Sequence, residues 1–210
     1  MSHQTVIVLD FGGQYNQLIA RRVRECNVYC EVMPCTTPLS QLKAMDPIGI
    51  IFTGGPNSVY LDSSPHVDPE IFTWGVPILG ICYGCQLMAH TLGGQVTEAH
   101  EDTAREYGKT ETYYDTACKL FKGLPERGIS WMSHGDYMAK VPDGFALTAH
   151  SDSCPNVAIA DEARGFYGVQ FHPEVNHTQH GIDMIHNFLY EVCRAKGDWT
   201  MEDYCRTAIA

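Results

Sequence analysis

Residues 80 to 84 read Gly-Ile-Cys-Tyr-Gly, where the apolar run Val76-Pro77-Ile78-Leu79-Gly80-Ile81 gives way to the helix-like Cys85-Gln86-Leu87-Met88-Ala89-His90. A strand that turns so sharply into a helix forces its central residue into a strained backbone conformation. Side chains two positions to either side would collide, so glycine is needed at both. The pattern predicts a strand, a nucleophile elbow and a helix, with the Cys82 thiol lifted out at the helix N-terminus. There the helix dipole and free N–H groups favour the thiolate, the attacking species, over a thiol of ordinary pKa about 8.5.

Around that turn the chain alternates. Val6-Ile7-Val8-Leu9 is a β-branched run ending at Asp10-Phe11-Gly12-Gly13, after which Leu18, Ile19, Val23 and Cys26 recur at helical spacing. Residues 28–33 resume extended character up to Pro34, and residues 38–44 read as a short helix. Ile48-Gly49-Ile50-Ile51-Phe52 is a buried strand stopped at Thr53-Gly54-Gly55-Pro56, and residues 67–74 read as a helix before the strand that leads to Cys82. Such alternation implies right-handed crossovers and a parallel sheet covered on both faces, with ligands at the carboxyl ends of the strands. The Gly-rich stops at 12–13, 54–55 and 80–84 fall at strand ends and are expected on one rim. Beyond Gly94, extended segments at 111–114, 128–132, 145–149 and 165–171 predict an antiparallel extension. Ile182, Ile185, Phe188, Leu189 and Val192 predict a last amphipathic helix. The expected fold class is α/β: an open, twisted, mainly parallel sheet with helices on both faces and an antiparallel extension.

Composition narrows the partners. The 210 residues, 44% hydrophobic and 19% charged, suit one compact domain. Lys plus Arg number 14 against 25 Asp plus Glu, a net charge of -11 with no long basic run, which argues against a nucleic-acid groove. The start, Met1-Ser2-His3-Gln4, has no basic n-region, and the apolar stretch at 6–9 is too short for a signal or a membrane span, so a cytoplasmic chain with no membrane partner is expected. The nine cysteines are an odd count without a secretory signal, against a disulfide framework. Cys26, Cys30 and Cys35 lack the paired spacing of a zinc site, and no metal is expected.

A cysteine nucleophile needs a base, and position chooses among ten histidines. The strand Phe166-Tyr167-Gly168-Val169-Gln170-Phe171 ends at His172-Pro173-Glu174, where proline stops the ladder. In extended backbone residues i and i+2 share a side, so Glu174 can orient the His172 ring. Cys82, His172 and Glu174 thus form a candidate triad: the histidine takes the thiol proton and returns it to a leaving amine, and the carboxylate fixes the tautomer. The N–H groups of Tyr83 and Gly55 are candidate oxyanion donors.

Gly54-Gly55-Pro56, Gly80-Ile81-Cys82-Tyr83-Gly84 with Gln86, and Phe171-His172-Pro173-Glu174, in this order, closely resemble the class I (triad) glutamine amidotransferases. A finer pattern is similar to the amidotransferase domain of the GMP synthase branch. It comprises Leu9-Asp10-Phe11-Gly12 with Gln14-Tyr15, residues 19–25, Arg105-Glu106-Tyr107-Gly108, Trp131-Met132-Ser133-His134-Gly135-Asp136, and His177-Thr178. The resemblance implies hydrolysis of glutamine through a γ-glutamyl thioester at Cys82, with Gly55 and Tyr83 as the oxyanion hole. It further implies that Gln86, Ser133, His134, Gly135 and Asp136 hold the amino-acid head of glutamine. It also implies an ATP- and magnesium-dependent synthetase partner that uses the ammonia to aminate XMP. Residues 1–195 correspond to the amidotransferase domain and 196–210 to the start of a linker toward that synthetase, whose ATP-binding loop is not in this sequence.

Two positions depart from the family: Gly13 stands where serine is usual, and Cys85 where methionine or leucine is usual. Two other readings remain open. One is the glutaminase of anthranilate or carbamoyl phosphate synthesis, against which residues 105–108 and 133–136 argue. The other is a redox or metal-binding module using the Cys82-x-x-Cys85 pair with His172, His177 and His180.

Overall fold

The structure, a computed structural model, describes residues 2–99 and 106–209; Arg105 of the 105–108 motif lies outside the described residues. The chain opens with β1 (Thr5–Asp10), α1 (Asn16–Glu25), β2 (Tyr29–Pro34), α2 (Leu39–Ala44) and β3 (Gly49–Phe52). Next come β4 (Ile78–Ile81), α3 (Tyr83–Thr91), β5 (Gln95–Glu98), β6 (Glu106–Tyr114), β7 (Arg127–His134) and β8 (Asp136–Lys140). It ends with β9 (Ala146–Ser151), β10 (Ala158–Asp161), β11 (Phe166–Val169), α4 (Gly181–Asn187) and α5 (Met201–Ile209).

Nine strands form one sheet in the order β2-β1-β3-β4-β11-β10-β9-β6-β7. The pairs from β2 to β11 are parallel, and those from β11 to β7 are antiparallel. The expected parallel sheet with an antiparallel extension is therefore the observed architecture. Alternate β1 side chains divide between two cores: Val6 and Val8 pack with Ile19, Ala20 and Val23 of α1 and Met184 and Ile185 of α4. Ile7 and Leu9 pack on the other face with Leu42 of α2 and Leu87, Met88 and Ala89 of α3. The period-2 projection of a strand makes this division, and helices cover both faces because both faces are apolar.

Three details differ from the sequence expectations. Residues 67–74 hold only a single 3-10 turn, Pro69–Phe72. Asp68 caps it, Pro69 can only begin it, and Gly75 at φ +88° ends the segment, so there is room for one turn. The last amphipathic helix changes register: α4 passes into a π-turn at Phe188–Val192, where the Cys193 N–H donates to the Phe188 carbonyl. A separate ribbon pairs β5 with β8, and β10 is a four-residue strand buried throughout; neither carries the alternation that marks a strand in sequence. Tyr113 and Tyr114 are strand packing: Tyr114 is buried against Phe121, and Tyr113 stacks on His150. Past residue 195 the chain still packs, since Lys196 and Asp198 hydrogen-bond Gln4 and Trp199 is buried beside Tyr29. Helix α5 beyond it is exposed along its length.

Among the described residues, no helix is long and apolar enough to cross a membrane. The carboxyl ends of β1, β3, β4 and β11 are neighbours on one rim, and the loops that leave them line one cleft of about 410 Å³.

Candidate active site

Cys82 is the residue between β4 and α3, with φ 52° and ψ -108°, a positive φ that few residues other than glycine adopt. Such strain costs on the order of 1–3 kcal/mol and persists only where neighbours hold it. The flanking glycines show how it is held. A Cβ on Gly80 would stand 2.6 Å from the Gly84 carbonyl oxygen, and one on Gly84 would stand 2.5 Å from the Phe52 side chain on β3. The elbow thus closes on itself at one end and against the adjacent strand at the other. The Cys82 N–H donates to the Val169 carbonyl at 2.8 Å, tying the elbow to the end of β11.

That tie brings the candidate base to the candidate nucleophile. β4 and β11 run parallel with Ile81 opposite Val169, so both emerge on the same rim and His172 follows three residues later. His172 Nδ1 lies 2.7 Å from Glu174 Oε1, and both residues are buried. Burial opposes a charge on this ring. Hydrogen bonds to Cys82 and Glu174 and the negative charge on both outweigh it, and His172 is pushed up to about 10. The ring is held from outside as well: Tyr15 meets it edge-on at 5.5 Å, and the Arg22 guanidinium donates to the Glu174 carbonyl at 3.0 Å. Thr178 locks the loop, donating to the His172 carbonyl at 2.6 Å and accepting from the Trp131 N–H at 2.9 Å.

The residues of the two candidate oxyanion donors line the same cleft as Cys82. Among the described residues, neither the Tyr83 nor the Gly55 N–H is given to a backbone carbonyl, whereas the next N–H of the helix, Gly84, donates to Thr53. A Cβ on Gly55 would stand 2.6 Å from the Phe11 carbonyl oxygen, so only glycine lets this loop lie against the end of β1. The same closeness accounts for Gly13, where a Cβ would stand 2.5 Å from the Gly54 carbonyl oxygen.

Ser133, His134, Gly135 and Asp136 line the opposite wall, with the Cys82 Sγ 3.8 Å from the Ser133 carbonyl oxygen. Their side chains are largely committed within the protein. His134 is buried, with its ring nitrogens at the Asp136 carbonyl and the Glu106 carboxylate. The Asp136 carboxylate accepts from Ser58 Oγ at 2.5 Å and Tyr60 OH at 3.1 Å. Gln86 lines the cleft too, but its Nε2 donates to the Asp136 carbonyl and to Gln170 Oε1, so it braces this wall against α3. Tyr15, Ser58 and Tyr107 also line the cleft, and Tyr60 meets it only through Asp136; Tyr15 and Tyr107 lie inside family-like motifs, whereas Ser58 and Tyr60 carry no signal in sequence.

Six of the other thiols, Cys26, Cys30, Cys85, Cys118, Cys154 and Cys193, are buried packing groups, while Cys35 is half-buried and Cys205 is exposed on α5. All nine cysteines are free. Burial pushes the thiols of Cys26 and Cys30 up to about 11 and that of Cys85 well above its ordinary value. Cys85 lies fully buried against the sulfur of Met138, with no exposure for exchange. His177 lies tilted against the Trp131 ring and His180 faces Asp183, so both are engaged elsewhere than at Cys82.

Comparison with known proteins agrees with this geometry. A family model described as glutamine amidotransferase class-I matches residues 7–192. The glutamine-hydrolysing GMP synthase of Clostridium perfringens is 55% identical over 205 residues, covering 98% of this chain and 40% of that protein. The corresponding protein of Caldicellulosiruptor saccharolyticus is 54% identical over 209 residues, again covering 40% of its length. This chain therefore spans well under half the length of these relatives. Among solved structures, a putative GMP synthase subunit from Thermoplasma acidophilum superposes with a TM-score of 0.81 at 29% identity over 100% of both chains. A Thermotoga maritima glutamine amidotransferase, 18% identical with a TM-score of 0.73 over 93% of this chain, shares the fold. With an elbow cysteine, a carboxylate-held histidine and a family match over nearly its whole length, the chain belongs to the class I glutamine amidotransferases.

Proposed function

We propose that this chain is the glutaminase unit of a GMP synthase, hydrolysing glutamine to glutamate and ammonia for a synthetase that aminates XMP with ATP and magnesium. The observation that carries the hydrolytic reading is the His172–Glu174 contact of 2.7 Å beside an elbow cysteine with positive φ. The synthetase assignment is supported by 54–55% identity to glutamine-hydrolysing GMP synthases across the chain. A cytoplasmic setting is supported by nine free thiols, which suit a reducing compartment.

In this mechanism the Cys82 thiolate attacks the side-chain carbonyl carbon of glutamine, and the carbonyl electrons move onto oxygen. The N–H groups of Tyr83 and Gly55 receive that oxyanion. Collapse breaks the C–N bond while His172 gives its proton to the departing nitrogen, releasing ammonia and leaving a γ-glutamyl thioester on Cys82. Neutral His172 then takes a proton from water, whose hydroxide equivalent attacks the thioester. Collapse of that second intermediate releases glutamate and restores the thiolate–imidazolium pair. Glu174 keeps the ring oriented and stabilises its positive charge at both stages. The wall at 133–136, braced by Gln86, receives the amino-acid head. No cofactor enters the hydrolytic half; ATP and magnesium belong to the synthetase.

The test supplies the chain with glutamine and a synthetase that makes GMP from XMP and free ammonia. GMP formation from glutamine, lost with Cys82→Ala and restored by ammonium, supports the reading. Partner capture separates it from the related glutaminases: recovery of an anthranilate or carbamoyl phosphate synthetase in place of a GMP-forming one would overturn the XMP assignment.

A further inference from the structure

Glu106 begins β6 directly opposite His134 on β7, and no catalytic step above uses it. Its side chain is 2% exposed and that of His134 is 1% exposed. A carboxylate so buried stays ionised only if donors surround it. Here Oε1 accepts from the hydroxyls of Ser151 and Ser153, the latter at 2.5 Å, and Oε2 lies 3.2 Å from His134 Nε2. Burial opposes the charge on Glu106, but these three donors outweigh it and hold the carboxyl below its ordinary range.

The other ring nitrogen, Nδ1, lies 2.9 Å from the Asp136 carbonyl oxygen. Both ring nitrogens are thus engaged, one by a carboxylate and one by a backbone carbonyl, so the ring is fixed at both ends. The Asp136 carbonyl accepts in addition from Gln86 on the helix that starts at Cys82, and the Asp136 carboxylate accepts from Ser58 and Tyr60, just beyond the Gly54-Gly55 turn. The segment held by the His134 ring therefore touches Cys82 through the Ser133 carbonyl, the elbow helix through Gln86 and the 54–58 loop through Ser58.

We propose that Glu106 is a positioning residue for substrate binding: its buried contact with the His134 ring sets the 133–136 wall at the place where the amino-acid head of glutamine docks. The inference rests on the glutaminase reading. A buried pair of this kind contributes little net stability against an apolar replacement, but it admits only one geometry, which a wall that must meet a small polar head requires. Among the described residues neither Glu106 nor the His134 ring hydrogen-bonds Cys82, His172 or Glu174, so loss of the pair acts first on the wall and on binding.

The experiment uses the full chain with Glu106→Gln, and with Ser153→Ala, which removes one donor and keeps the charge. Losing a hydrogen bond to a charged group predicts for Glu106→Gln a glutamine KM raised about tenfold or more, with kcat kept within about threefold. Ser153→Ala predicts a smaller rise of about two- to fivefold, and it decides alone if Glu106→Gln does not fold. Two alkylators give a second readout. Inactivation by iodoacetamide, which has no amino-acid head, stays within about twofold, while inactivation by a glutamine-like chloroketone slows by the factor seen in KM. An unchanged KM in the folded variants overturns the proposal. So does a parallel fall of kcat and of the iodoacetamide rate, which marks a merely structural role. If the unsubstituted chain is alkylated at Cys82 yet neither alone nor with a GMP-forming synthetase turns over glutamine, the glutaminase reading fails first and takes this proposal with it.

Discussion

His172 and Glu174 are two residues apart in the chain, and the histidine Nδ1 meets the Glu174 Oε1 at 2.7 Å with the carboxylate side chain wholly buried. β11 ends at Val169, and Pro173 and Glu174 lie in a buried turn beyond it, so the turn and not an extended strand brings the carboxylate to the ring. The contact leaves the second ring nitrogen for Cys82.

The folded pKa of His172, about 10, lies above the ordinary value of 6.5. Stability contributed by the charged ring is therefore complete below about pH 6.5 and is lost as pH rises through about 10. Glu174→Gln removes the carboxylate and lowers the His172 pKa. The alkaline limb of the kcat/KM profile for glutamine is expected to move down by about one pH unit or more, with a lower plateau. A limb that stays in place would show that another group controls it.

Gly55→Ala places a methyl 2.6 Å from the Phe11 carbonyl oxygen, backbone against which it cannot yield, so the loop shifts and its N–H leaves the oxyanion position. The expected loss is about a hundredfold to a thousandfold in kcat with little change in KM. A variant of near-normal kcat would remove Gly55 from the oxyanion hole.

Cys85→Ser keeps the size of a buried side chain and removes the thiol from its contact with Met138. Glutamine hydrolysis is expected to persist, with a stability loss of about 1–3 kcal/mol from burying an unpaired hydroxyl, read from denaturant unfolding. A glutamine-analogue alkylator is expected to add one mass label at Cys82 in this variant and in the parent. Labelling elsewhere, or abolition of activity by Cys85→Ser, would revive the paired-thiol reading.

Arg22→Ala deletes the donor to the Glu174 carbonyl and the contact to Asn176 at 2.7 Å. Losing hydrogen bonds from a partly buried guanidinium predicts about 1–3 kcal/mol of destabilisation and a modest fall in kcat through a looser His172 loop. Thermal unfolding and steady-state kinetics measure the two effects separately. Unchanged values for both would show that Thr178 holds the loop alone.

The elbow, the rim and the candidate triad were legible from sequence because each rests on local signals: glycines two residues either side of Cys82, Gly-rich stops at strand ends, and His172 and Glu174 two residues apart, which meet through a turn where extended backbone was expected. Residues 67–74 misled because apolar spacing says nothing of how few residues a proline start and a glycine stop leave between them. The Glu106–His134 pair was invisible because nothing in the motif order shows that β6 and β7 put these two residues in register.

Read alone, the residues were enough to name a cysteine, a base, an orienting carboxylate and the family they resemble, since those signals are short-range and survive in a linear string. Whether Cys82 meets His172, 90 positions away in numbering, depended on the parallel pairing of β4 with β11, which carries both residues to one rim. The commitment of His134, Asp136 and Gln86 to one another likewise came only from folding, because buried polar groups take whatever donors and acceptors packing brings within reach.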